Sequence, residues 1–154
     1  MFMLIAVDFD DTIATNRYPF VGDLIPYAKE VINMLYSNGC AIMLWTVRGT
    51  NEINEFGYNN PHGKLNALDN AKQFCENNGI PINFFNFNPR HPSNSPKQLA
   101  DYVIDDINLG CPTMIFKNRR VVDWIEVAKI LNKERLISDN QLKLLIDNEN
   151  QNED

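Results

Sequence analysis

Basic side chains are scarce in this sequence: 14 lysines and arginines stand against 20 aspartates and glutamates, a formal net charge of −6. That deficit disfavours nucleic-acid partners, whose phosphate backbones reward clustered cations. The one locally basic run, Lys117-Asn118-Arg119-Arg120, reads as a solvated turn and not as a binding patch. Long apolar runs are also missing. The N-terminal stretch to Val7 is apolar for only seven residues, lacks a basic leader and runs into Asp8 and Asp10, so neither a secretory leader nor a membrane span is expected. Cysteines are few, odd in number and far apart (Cys40, Cys75, Cys111), which suits free thiols in a reducing compartment and argues against a disulfide framework or a zinc site. The expectation is a cytoplasmic protein.

What is present suffices for one domain. A chain of 154 residues with 44% apolar and 22% charged residues can bury a core without staples. Residues 3–8 read as a buried strand, because apolar residues run on without the polar alternation of a half-exposed sheet. Asp23 is expected to cap a helix carrying Leu24, Ile25, Ala28, Val31, Ile32 and Leu35 at helical spacing, with Pro26 in its first turn and Gly39 just past its end. A second buried strand spans Ala41 to Trp45, and residues 47–63 read as a loop or small flap. A helix over 65–78 carries Leu65, Leu68, Ala71 and Cys75 and stops at Gly79.

Strands are expected at 82–87, at Tyr102 to Asp105, and at Thr113 to Phe116, followed by a helix from Trp124 to Leu131. The aromatic run Phe84, Phe85, Phe87 reads as core and sheet face, not as a base-stacking platform. Ser138 and Gln141 form a capping-box pattern for a last short helix. The organisation is then a single domain over 1–146, with an acidic tail over 147–154 expected to be disordered. Strands alternating with helices imply an α/β fold of three layers around an open, mostly parallel sheet.

In such a sheet, ligands bind beyond the carboxyl ends of the strands. Three inferred strands end there in polar groups: Asp8-Phe9-Asp10-Asp11-Thr12 after the first, Thr46 and Arg48 after the second, Asp105-Asp106 after the fourth. Carboxylates crowded into one cleft raise one another's pKa values, a conflict that a divalent cation resolves. Magnesium suits a few carboxylates, a carbonyl and water, and leaves room for a phosphate oxygen.

These segments, in this order, resemble the haloacid-dehalogenase-like superfamily of aspartate-nucleophile phosphohydrolases. Asp8-Phe9-Asp10-Asp11-Thr12 corresponds to its nucleophile motif, Leu44-Trp45-Thr46 to its strand ending in Ser or Thr, Lys97 to its lysine, and Asp105-Asp106 to its acidic metal motif. The resemblance covers residues 3–131 and is nearest to small members without a cap. It implies a Rossmann-like fold lacking a large cap domain, and a magnesium-dependent phosphatase acting through an aspartyl-phosphate.

Under that resemblance Asp8 is the nucleophile and a metal ligand, and Asp10 is the acid and base, with its carbonyl also on the metal. Thr46 and Lys97 bind the phosphoryl group, and Arg48 is a further candidate phosphate or substrate contact. Asp105 ligates magnesium directly, and Asp106 does so directly or through water. Lys64, at a helix start, is the alternative phosphate lysine. An acid at Asp10 favours phosphate esters over carbon–halogen bonds, because an alkoxide needs a proton to leave whereas a halide does not.

Asp11 departs from the family pattern, which often has Gly there. His62 and His91 read as ordinary loop residues. An open site suits a macromolecular phosphoester, or a small phosphorylated substrate enclosed by a second copy of the chain in a homo-oligomer. A phosphotransferase with the same site, or a non-catalytic binding domain on the same fold, are the rival readings.

Overall fold

The computed structural model describes residues 2–49 and 66–152. Most of the loop expected at 47–63, with His62, Lys64 and Leu65, lies outside the described residues. Strand β1 (Leu4–Val7) has no exposed residue and is the second strand from one side of a four-stranded sheet. On one side it pairs in parallel with β4 (Ala41–Leu44), which in turn pairs with β5 (Phe84–Phe85). On the other side it pairs in parallel with β6 (Tyr102–Ile104), giving the order β5-β4-β1-β6. The expected α/β fold with a parallel central sheet is therefore present, and no large cap is evident among the described residues.

The sheet's two faces follow from strand alternation. Ile5, Val7, Ile42 and Leu44 point into the larger core, where α1 (Ala28–Ser37), α2 (Ala67–Asn77), α3 (Trp124–Lys133) and α4 (Asp139–Asn152) all place buried side chains. Leu4, Ala6, Ala41 and Met43 face the other way, covered by Trp45, Phe84 and Ala100. The layer on that face comes from strand ends and the connection leading into β6.

Several local elements differ from the sequence-based expectation, each for a physical reason. Asp23 caps no helix. It lies in a hairpin of β2 (Ala14–Arg17) and β3 (Phe20–Leu24), where its N–H bonds the Thr15 hydroxyl at 2.8 Å and its carboxylate pairs with Lys117 at 2.9 Å. Helix α1 starts later, after Tyr27 at φ 65°, so Pro26 precedes the helix instead of sitting in its first turn.

Thr113–Phe116 is β7, and it joins β8 (Arg119–Val122) in a separate antiparallel hairpin rather than the central sheet. Lys117 and Asn118 make its two-residue turn with φ 48° and 62°, the positive pair that suits the strands' twist. The strand expected over 82–87 shortens to two residues because asparagines close the ladder: the Asn83 side chain accepts from the Ile42 N–H, and Asn86 takes a positive φ of 50°.

The tail is ordered further than its composition implied. Ser138 and Gln141 form the reciprocal cap, and α4 continues through Asn152, whose side chain reaches the Tyr27 hydroxyl at 3.3 Å. One buried anchor, Leu145, and a solvated polar face are enough to carry the helix past Asp147.

Candidate functional site

The carboxyl ends of β1, β4, β5 and β6 lie along one edge, since all four strands run in parallel. The chain leaves β1 for β4 on one side and later returns to β6 on the other, so the crevice between β1 and β6 is the topological switch point. Asp8 follows β1, and Asp105-Asp106 follow β6. A cleft of ≈ 470 Å³ opens there, lined by Asp8, Asp10, Trp45, Thr46, Asp105 and Asp106 among others. Oxygens of Asp8, Asp105 and Asp106 all lie within 4.8 Å of one another.

The loop after β1 is wound tightly so that these acids face the cleft. The Ile13 and Ala14 N–H groups both bond the Phe9 carbonyl, at 2.9 and 3.1 Å, and the Asp11 N–H returns to the Ala14 carbonyl at 2.7 Å. This turn puts Asp11 at φ 56°, a region that Asp enters more readily than most residues. Thr12, fully buried, links the two acid-bearing loops: its hydroxyl donates to Asp8 Oδ2 and accepts from the Asp106 N–H, both at 3.3 Å. The indole of Trp124 donates to the Thr12 carbonyl at 2.7 Å, fixing the loop from helix α3.

Burial pushes the Asp8 carboxyl up to about 8; the Phe9 N–H opposes this, while the charges of Asp105, Asp10 and Asp106 add to it. Asp106 is also raised, by burial and then by Asp105 and Asp11, with Arg120 opposing. Asp11 behaves differently. Burial pushes it up, but two Arg119 hydrogen bonds, the Asn16 N–H and the Arg119 charge together hold it below the ordinary carboxylate value. The Arg119 fork is bidentate, at 2.8 and 2.6 Å. Part of the basic run read as a solvated turn is thus the partner of the residue that departs from the family pattern.

Thr46 stands at the edge as expected. Its N–H bonds the Asn86 side chain at 2.8 Å, and its hydroxyl accepts from the Arg48 N–H at 3.3 Å, which leaves the hydroxyl proton available. Asn86 belongs to no motif in the sequence and is identifiable only once β5 is placed beside β4.

Arg48, a candidate phosphate or substrate contact by sequence, is turned to Asp10. It is 1% exposed, and all five of its N–H groups have protein acceptors, two of them the oxygens of Asp10. Lys97 is not brought to the acids. Its side chain is exposed and has no ion pair among the described residues, and it is the preceding Pro96 that lines the cleft. No Lys or Arg is among the described residues lining the cleft.

The donor set fits a hard divalent cation: three carboxylates converge with no Lys or Arg among the described residues lining the cleft, and burial first, then the charge of its neighbours, drives Asp8 towards its protonated form. Asp8, Asp105 and Asp106 are the residues that would hold it.

Fold and site together define an open α/β protein with an acid-lined cleft at the switch point of a parallel sheet. The structure of a conserved protein from Bacteroides thetaiotaomicron is similar, with a TM-score of 0.61 and 32% sequence identity over 88% of this chain and 93% of that one. The chain belongs to the same family as that protein. No protein-family model matches the chain, and no curated protein matches it either. Among the described residues no helix is long and apolar enough to cross a membrane.

Proposed function

We propose that this protein is a magnesium-dependent phosphohydrolase of the haloacid-dehalogenase-like type, acting on a phosphate ester through an aspartyl-phosphate on Asp8. The observation that carries this reading is the convergence of Asp8, Asp105 and Asp106 at the switch point, with Asp10 two residues along in the same cleft. A bound magnesium ion would offset the charge of the three carboxylates and of the phosphoryl group.

An Asp8 oxygen attacks phosphorus as the ester bond breaks, and the leaving oxygen takes a proton from Asp10. Asp10 then removes a proton from the water that attacks phosphorus, which frees Asp8 and releases phosphate. Thr46 has its hydroxyl proton free to bond a phosphoryl oxygen. The net charge of −6 disfavours nucleic-acid substrates, and the three free cysteines fit a cytoplasmic setting.

The test is hydrolysis of a panel of phosphate esters with and without Mg²⁺, with Asp8→Asn as the control. Turnover of at least one ester that requires both Mg²⁺ and Asp8 is the expected result. Tight Mg²⁺ binding with no turnover of any ester would instead make the protein a binding domain on this fold.

A further inference from the structure

Burying a guanidinium is costly unless its geometry is well satisfied, and Arg48 is satisfied completely. Its Nε donates to Asp10 Oδ2 at 2.7 Å, and its Nη2 to Asp10 Oδ1 at 2.6 Å and to the Phe20 carbonyl at 2.9 Å. Its Nη1 donates to the carbonyls of Pro19 at 3.1 Å and Ala67 at 3.2 Å. The guanidinium carbon lies 4.8 Å from the centre of the Phe9 ring and 5.4 Å from that of Tyr18. The arginine therefore joins three parts of the chain: the turn between β2 and β3, the first residue of α2, and one carboxylate of the cleft.

That carboxylate is Asp10, whose side chain is 14% exposed, whereas Arg48 has none of its side chain exposed. A planar fork gripping both oxygens fixes the plane of a carboxylate, which the point charge of a lysine does not do. Each oxygen accepts one bond from the fork and keeps capacity for another, so Asp10 can still bond a group in the cleft.

We infer that Arg48 is the positioning residue for Asp10: it sets the plane in which the acid and base presents itself, and ties that plane to the β2–β3 hairpin and to α2. The inference rests on the phosphohydrolase reading and adds a residue to it. Arg48 touches no reacting atom; it acts through Asp10.

A positioning role has a signature that general structural support lacks. The constant kcat/KM covers the steps up to release of the leaving group. A p-nitrophenolate departs without a proton, whereas the alkoxide of an alkyl ester needs one. Loss of Asp10 alignment must therefore harm an alkyl ester more than an aryl ester.

The experiment measures kcat/KM with Mg²⁺ for glycerol phosphate and p-nitrophenyl phosphate, in wild type, Arg48→Lys, Arg48→Gln, Asp10→Asn and Arg48→Lys/Asp10→Asn. The ratio of the two constants, taken on one sample, does not depend on how much of that sample is folded. In Arg48→Lys and Arg48→Gln the alkyl-to-aryl ratio is expected to fall about tenfold or more, part of the roughly 10²–10⁴ that general acid catalysis supplies. On the Asp10→Asn background, Arg48→Lys is expected to leave the ratio where Asp10→Asn alone puts it.

Equal losses on both esters, or an equal shift of the ratio with and without Asp10, would overturn the assignment. A wild type inactive on every ester of the panel would overturn the phosphohydrolase reading itself and this inference with it, a result distinct from an active wild type whose ratio does not move.

Discussion

Replacing Asp8 by Asn should make the chelated protein more stable. Burial, then the charges of Asp105, Asp10 and Asp106, raise its carboxyl to about 8, against the lowering effect of the Phe9 N–H. Between roughly pH 4 and pH 8 the folded chain then holds a proton that the unfolded chain has released, so stability falls as pH rises. At pH 7 the distance from the ordinary value of 3.8, at about 1.36 kcal/mol per pH unit, sets a ceiling of about 4 kcal/mol on that cost. Water reaching the half-buried cleft reduces it to about 1–2 kcal/mol, or about 2–8 °C in a domain of this size.

Thermal melts in EDTA at pH 5, 7 and 9 test this. Wild type should lose stability towards pH 9, and Asp8→Asn should lose less and melt higher at pH 7. Adding Mg²⁺ at 100 times its Kd should raise the wild-type stability by about 2.7 kcal/mol, and Asp8→Asn should gain less. If Asp8→Asn melts at or below wild type in EDTA at pH 7, burial and neighbouring charge do not strain the Asp8 carboxylate, and that part of the argument for a cation falls.

Asp11→Ala removes the Arg119 fork and leaves a less tolerant residue at φ 56°, so urea unfolding should show a loss of about 1–2 kcal/mol. Asp11→Gly, which loses the pair but accepts the angle, should recover about 1 kcal/mol of that; equal losses would mean the backbone angle plays no part. Gly22→Ala would place a methyl 2.1 Å from the carbonyl and hydroxyl oxygens of Thr15, so the hairpin must shift, at about 1–3 kcal/mol. An unchanged melt would refute that close approach. Asp101 is held below its usual value by the Leu4 N–H and then, against some burial, by Arg90. The stability it contributes is present above about pH 4 and is lost as pH falls through its lower folded value, so Asp101→Asn should flatten the acid end of the stability curve; an unaltered slope between pH 5 and 3 would remove Asp101 from the account.

The sheet and the acids at its edge could be read from the sequence because both depend on local pattern. Unbroken apolar runs mark strands covered on both faces, and polar residues at the ends of such runs fall at one edge when the strands are parallel. The β2–β3 hairpin could not be read the same way. Leu24 and Ile25 fit helical spacing with the residues after them, and Asp23 before Pro26 looks like a helix start. Pairing of Ala14 with Leu24 overrides both signals.

Arg48 and Arg119 illustrate a second limit. Their partners, Asp10 and Asp11, lie 38 and 108 residues away in the chain, and nothing local says which carboxylate a given arginine will meet. Lys97 is the reverse case: the order of motifs placed it near the acids, but order alone does not direct a side chain, and it stays at the surface.

The stitching of the Asp8–Thr12 loop has a consequence in time. The Val122 N–H bonds the Asp11 carbonyl, Arg119 grips its side chain, and the Trp124 indole bonds the Thr12 carbonyl across 112 residues. The Asp8–Thr12 segment is therefore completed by one made 112 residues later. A nascent chain that has not yet reached Trp124 can pair β1 with β4, but it lacks the far-end contacts that shape the loop, and contacts of such long range form slowly. The cleft matures only once synthesis has passed Trp124, so a chain interrupted before that point would carry the acids without their arrangement.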